Sequence, residues 1–345
     1  MTKRLFALSL AVLGAVAAIV ATTAGAGRKA DQLVGAGSSF VSPLVAQWQK
    51  DYPSKTGVDI VYSPIGSGGG IAAISARTVD FGASDAPLSP DQLAGCKGCY
   101  QIPWALGGTA IMINVKTNAR APLKITGPVL GLIYLGSIKR WNAPAIQKLN
   151  PKVTLPDEPI VPVYRSDASG TSYNFTDYLS SVSPYWKAKA GAASTQPPFP
   201  TGVGAKGSSG VAGVVKKTDG AIGYADIAFA ITNHIPVMAV KNAAGKFTTP
   251  GIASIGAAAT AYPKVPSSNE MHIVNPPKRY PKAYPISTYT YVIVPIVTSK
   301  AAMLKRFIFY ALTQGQKLGI PLRFVPIPKQ VLVASEKTLK KVKSS

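Results

Sequence analysis

Arg165-Ser166-Asp167-Ala168-Ser169-Gly170-Thr171-Ser172 sets one guanidinium, the hydroxyls of Ser169, Thr171 and Ser172, and a glycine ahead of an apolar pattern at 173, 175, 178 and 179. That pattern suits a helix, and the preceding Ile160-Val161-Pro162-Val163-Tyr164 suits a strand. The stretch therefore reads as a strand end turning into a helix N-terminus, where backbone N–H groups lack intrahelical partners and the helix dipole is positive. An anion can be held there without a metal. Arg165 adds a planar fork that fits a tetrahedral oxyanion, and Asp167, two residues on, is placed to hold that fork. A Ser/Gly-rich turn that only caps its helix, beside an ordinary surface arginine, accounts for the same residues equally well.

Other chemistry-bearing residues are few. Cys96 and Cys99 are the only cysteines, and outside the cytoplasm so close a pair is expected to be oxidised, stapling the loop before Tyr100. A redox pair usually stands at a helix start after a strand, whereas Leu93-Ala94-Gly95 looks like a helix end. His234 and His272 stand apart with no metal-ligand spacing, so no metal site and no cofactor are expected, and both histidines read as ordinary surface or packing residues.

The elements that would position these groups alternate. Gly35 to Pro43 is a turn into a helix with Ser42 as its cap and Leu44, Val45, Trp48 and Tyr52 as its apolar face. Val58-Asp59-Ile60-Val61-Tyr62 is a strand. Ile65-Gly66-Ser67-Gly68-Gly69-Gly70 is a loop whose glycines let backbone approach a ligand, and a helix through Ile71 and Ile74 follows. Val79 to Asp85 returns as a strand. Ligands of such parallel sheets sit beyond the carboxyl ends of strands, and two of those ends carry Ser67 and Asp85. Further strands are expected at 109–114, 160–164, 221–224 and 289–297, and helices at 130–136, 146–149, 204–217, 303–312 and 331–342. Residues 240–285, rich in Pro, Ala and Gly, are expected to be irregular.

With 345 residues the chain exceeds what one core usually serves. Lys3 and Arg4, the apolar run Leu5 to Val20 and the small Ala24-Gly25-Ala26 form a secretory signal peptide over residues 1–26. A membrane anchor is the competing account, but the run is short for a spanning helix. No lipobox cysteine lies near the cleavage point, so the mature chain is expected to be secreted without a lipid anchor. The formal charge is +23, or +21 once Lys3 and Arg4 are gone. Such a surface attracts anions, yet the lysines are scattered without interleaved aromatics, so nucleic acid is not the expected partner.

Four motifs together carry a resemblance. Gly35-Ala36-Gly37-Ser38-Ser39-Phe40, Ile65 to Gly70, Val79 to Ser89 and Arg165 to Ser172 closely resemble the phosphate-binding proteins of the high-affinity phosphate ABC transporter. Ile133 to Asn142, Gly204 to Val211 and Gly220 to Tyr224 extend the likeness from about 33 to 230, and Tyr284 to Thr290 extends it more loosely. The resemblance implies an α/β, two-domain periplasmic-binding-protein-like fold of type II, with domain I at 27–105 plus 287–345 and domain II at 106–286. Two crossing strands would join them and the ligand would lie in the cleft. By the same likeness Ser39, Phe40, Ser67, Asp85, Arg165, Ser169, Gly170 and Thr171 bind phosphate and Asp167 orients Arg165. Partners would be inorganic phosphate and a permease with its ATPase, and the chain would be a monomer and not an enzyme. Serine stands at 39 where the best-known members have threonine, and the Cys96/Cys99 pair is not general in the family.

The chemistry agrees. Phosphate near neutral pH still carries protons, so a site of donors alone would leave each P–OH without an acceptor, which an ionised Asp85 supplies. Sulfate would meet that carboxylate without a hydrogen bond, a loss worth about a hundredfold in affinity. Without the likeness, Asp85 reads as a strand-end residue before Pro87. A phosphoester hydrolase would need a base beside Ser169, and none is found. A receptor for sulfate is disfavoured by Asp85.

Overall fold

The structure, a computed structural model, describes residues 31–345; the signal peptide expected at 1–26 lies outside them. The chain begins with β1 (Asp31–Gly37), α1 (Ser42–Thr56), β2 (Val58–Ser63), α2 (Ser67–Ser75) and β3 (Phe81–Ser84). Next are α3 (Pro90–Gly95), β4 (Cys99–Asn114), β5 (Lys124–Ile125), α4 (Gly127–Tyr134) and α5 (Pro144–Gln147). β6 (Val161–Arg165), α6 (Gly170–Val182), α7 (Pro184–Ala190), β7 (Val203–Ala205), α8 (Gly207–Lys217), β8 (Ala221–Asp226) and α9 (Ile227–Asn233) follow. β9 (Ala239–Lys241), β10 (Phe247–Thr248), α10 (Ile252–Thr260), β11 (Ser287–Pro295), α11 (Ala301–Leu312), a 3-10 segment (Gln314–Leu322) and α12 (Lys329–Lys340) complete the order.

Eight strands form one sheet in the order β2-β1-β3-β11-β4-β8-β6-β7. β1 pairs parallel with β2 and β3, and β6 pairs parallel with β7 and β8. Between these parallel sets run β11 and β4, antiparallel to their neighbours. β4 is 16 residues long and changes partner along its length: Cys99 to Gly108 pair with β11, and Thr109 to Asn114 with β8. The boundaries expected at 105/106 and 286/287 fall inside β4 and just before β11. Gly107 and Gly108 occupy the changeover, where an added Cβ would run into Phe40 or Ile255.

Aromatic packing fixes the helices on this sheet. Trp48 of α1 meets Trp104 edge-on at 4.9 Å and Phe307 of α11 at 6.3 Å. Its indole donates to the Gly315 carbonyl at 2.9 Å, so its one polar atom is satisfied. On the other half Phe175 of α6 stacks on Tyr224 of β8 at 4.3 Å and meets Tyr134 of α4 at 4.9 Å. Each fully buried aromatic contributes roughly 2–3 kcal/mol. Phe175 and the buried Tyr178 and Leu179 therefore hold α6, and with it the turn that follows Arg165.

Three local expectations are corrected. Residues 240–285 are not wholly irregular: α10 crosses them, because Pro250 and Gly251 punctuate its start and the alanine run continues the helix. Ser67 to Gly70 are the first turn of α2 and not a loop. Their glycines are needed for contact with the chain itself, since a Cβ on Gly70 would stand 2.4 Å from Gly37 Cα and one on Gly68 2.4 Å from Ala168 Cβ. Ser42 is not the cap of α1; it is already helical and donates to the Ser39 carbonyl at 2.8 Å.

Candidate anion-binding site

Five turns meet at one rim of the sheet: those after β1, β2, β3 and β6, and the one leading into α8. They are tied by hydrogen bonds between residues far apart in sequence. Ser67 Oγ, at the start of α2, accepts from Asp85 N at 3.2 Å and from Gly170 N at 3.1 Å. Gly68 N donates to the Ala168 carbonyl at 3.0 Å. Ser39 Oγ lies 3.1 Å from Ser208 Oγ and accepts from Ser208 N at 2.9 Å. The N-termini of α1, α2, α6 and α8 thus face one another, and each brings its positive dipole end.

Arg165 closes β6 and is buried. Its Nε donates to Asp167 Oδ1 at 2.7 Å and a terminal nitrogen pairs with Oδ2, a two-pronged grip. The remaining terminal nitrogen reaches Thr171 Oγ1 at 3.3 Å and Ser208 Oγ at 3.4 Å. Asp167 also accepts from Gly207 N at 3.0 Å, so it binds the α8 turn as well as the guanidinium. Burial pushes its carboxyl up, but the Arg165 hydrogen bonds and charge, with the Gly207 amide, hold it below the usual carboxylate range.

Asp85 is the one buried acid that faces this cation. Ser38 Oγ donates to its Oδ1, and Thr171 Oγ1 approaches Oδ2 at 3.4 Å. Its main-chain carbonyl accepts from Asn174 Nδ2 at 2.9 Å. Burial pushes the carboxyl up to about 6, against the pull of Ser38, Arg165, Thr171 and Ser67. Ser169 caps α6, accepting from Ser172 N at 3.1 Å, and Ser172 Oγ in turn bonds Tyr224 OH at 2.7 Å. Gly170 packs so closely that a Cβ would lie 2.7 Å from Asp85 N, Ala86 N and Ser67 Oγ.

Ser39, Ser67, Asp85, Arg165, Asp167, Ser169, Gly170 and Thr171 are therefore brought together, and Phe40 joins them through its amide, which donates to Ser38 Oγ at 3.0 Å. Sequence reasoning missed Ser38, which touches Asp85, and Ser208, which touches both Ser39 and Arg165. Of two adjacent serines the sequence does not say which turns toward Asp85. Ser208 had a legible cue: Gly207-Ser208-Ser209-Gly210 opens a helix with the same small polar residues as 169–172. Cys96 and Cys99 are joined, with Cα atoms 5.8 Å apart. Arg77 collects the Ile74 carbonyl at 2.6 Å and the Cys96 carbonyl at 2.9 Å beside them. His272 pairs with Asp177, which raises the imidazole pKa. Among the described residues no cluster of three or more His, Cys, Asp or Glu is placed to hold a metal, and no helix is long and apolar enough to cross a membrane.

Comparison with known proteins places these motifs in context. The family model for the PBP superfamily domain matches residues 22–314. The phosphate-binding protein PstS of Xylella fastidiosa is 40% identical over 307 residues, covering 88% of this chain and 84% of its own. PstS of Pasteurella multocida is 37% identical over 335 residues, covering 96% and 94%. Among solved structures, the high-affinity periplasmic phosphate-binding protein PfluDING, bound with phosphate, superposes with a TM-score of 0.71 at 22% identity, covering 89% of this chain and 93% of that one. The α/β fold is thus the periplasmic-binding-protein-like one, and the chain belongs to the PstS family of phosphate-binding proteins.

Proposed function

We propose that this chain captures inorganic phosphate in the periplasm and delivers it to the permease and ATPase of an ABC importer. The observation that carries the proposal is the buried ensemble of one cation, one acceptor carboxylate and four helix N-termini. Ser39, Ser67, Arg165, Ser169 and Thr171 donate to the phosphate oxygens, the Phe40 and Gly170 amides exchange their bonds to Ser38 Oγ and Ser67 Oγ for phosphate oxygens, and Asp85 accepts from a P–OH. Ser208 joins the donors. The relatives named above are phosphate-binding proteins, which supports the same ligand here.

In this reading residues 27–105 with 287–345 form one lobe and 106–286 the other, with phosphate between them. The change of partner along β4 supports a joint near Gly107-Gly108. A cleaved leader at 1–26, action as a monomer and the absence of catalysis belong to the same proposal. Ser169 serves as a helix cap and the two histidines lie at exposed positions away from it, which supports a binding role over a catalytic one. Calorimetry with phosphate, arsenate and sulfate on one purified sample tests it. Tight phosphate binding with sulfate at least about a hundredfold weaker is the expected outcome; no heat with phosphate would overturn the proposal.

A further inference from the structure

Asp226 ends β8 fully buried, yet it takes no part in the ensemble above. Its Oδ1 accepts from Ala228 N at 2.8 Å and caps α9. Its Oδ2 has no partner among the described residues, and neither has Oγ1 of Thr109, the residue opposite it on β4. An unpaired buried polar atom costs about 1–3 kcal/mol, more for one that is charged, so this position favours the neutral form of the carboxyl. That place is the point where β4 leaves β11 for β8.

The cover over Asp226 comes from the other half of the sheet. A Cβ on Gly107 would meet the Phe40 ring at 2.7 Å and Asp226 Oδ2 at 3.2 Å, so ring and carboxyl converge on one point. Phe40 belongs to the turn between β1 and α1, backed by Phe324 at 6.1 Å. Burial foremost, and then the nearby charge of Asp85, push the Asp226 carboxyl well above the usual carboxylate range. The cations of the elements packed against α9, Lys216 and Lys217 of α8 and Lys317 of the 3-10 segment, are exposed and point to solvent.

We infer that closure of the two halves over phosphate takes up one proton at Asp226, making it a positioning residue that couples the closed form to protonation. With Phe40 withdrawn, water reaches the carboxyl, which is then already ionised at neutral pH, as an ordinary aspartate is. On closure the carboxylate loses that water and combines with a proton from the medium to give the neutral acid. The negative charge of phosphate beside Asp85 pushes the same way.

This inference rests on the phosphate reading, and one experiment separates the two. Phosphate binding is measured calorimetrically in two buffers of different ionisation enthalpy at about pH 8, for the wild-type chain and Asp226→Asn, which keeps the oxygen that caps α9. Both should bind, with the wild type taking up about one proton more per phosphate, and its affinity should fall more steeply than the variant's as pH rises. Equal proton counts overturn the inference and leave phosphate binding standing; no heat in the wild type overturns both. Should the variant fail to fold, infrared difference spectra of the wild type decide: phosphate must add a protonated-carboxyl band at a pH where Asp85 is ionised, and its absence overturns the inference.

Discussion

At Asp85 two demands meet in one carboxyl. Burial raises it from 3.8 to about 6, so it is an ionised acceptor at neutral pH and an acid below. In the proposed site an ionised Asp85 would reject sulfate, whereas its acid form would donate to it. The preference for phosphate over sulfate should therefore narrow as pH falls below about 6, read by competition binding across pH. The stability effect has its own sign. The folded protein holds this proton more tightly than the unfolded chain, so the unliganded protein loses stability as pH rises from 3.8 to about 6 and loses no more beyond it. Asp85→Asn should escape that loss and unfold at higher denaturant near neutral pH, by about 2–3 kcal/mol, even as phosphate affinity collapses. Arg165 makes the complementary case. Lysine cannot grip both Asp167 oxygens while also reaching Thr171 and Ser208, so Arg165→Lys should weaken phosphate at least tenfold by calorimetry. Arg165, Asp167 and the 169–171 turn were legible because their chemistry is local. Asp85 gained its meaning only from the family likeness, since a lone aspartate before Pro87 is equally a turn residue.

Among the elements, glycine decides how near the helix ends come. Gly170→Ala would drive a methyl against Asp85 N and Ser67 Oγ, both 2.7 Å away, and push α6 off the β3 turn. Phosphate affinity should drop by tenfold or more while the far-ultraviolet dichroism is retained. Gly213 in α8 has nothing within 4 Å of an added Cβ, so Gly213→Ala should stabilise the fold by roughly 0.5–1 kcal/mol without touching affinity, measured by denaturant unfolding. Hydrophobic periodicity made α1, α6, α8, α11 and α12 readable in advance, to within a few residues at their ends. The full span of β4 was not, because Cys99 to Gly108 are buried on both faces and show no alternation. α10 was hidden for a different reason: an alanine-rich stretch among prolines has helix propensity but little apolar contrast.

For the molecule as a whole, a formal charge of +23 raises the anion concentration at its surface. The association rate of phosphate should therefore fall as salt rises from about 10 to 150 mM, where the screening length shrinks from about 30 to 8 Å, in stopped-flow measurements. The packed arrangement also holds a built-in gauge. Ser39 and Ser208 are 169 residues apart in the chain, yet their hydroxyls stand 3.1 Å apart. If the two lobes proposed above open and close, thiols introduced as Ser39→Cys and Ser208→Cys would lie within bonding reach only in the shut form. An oxidant pulse would then write each molecule's momentary state into a covalent cross-link, and a gel would read out how often the empty receptor shuts by itself.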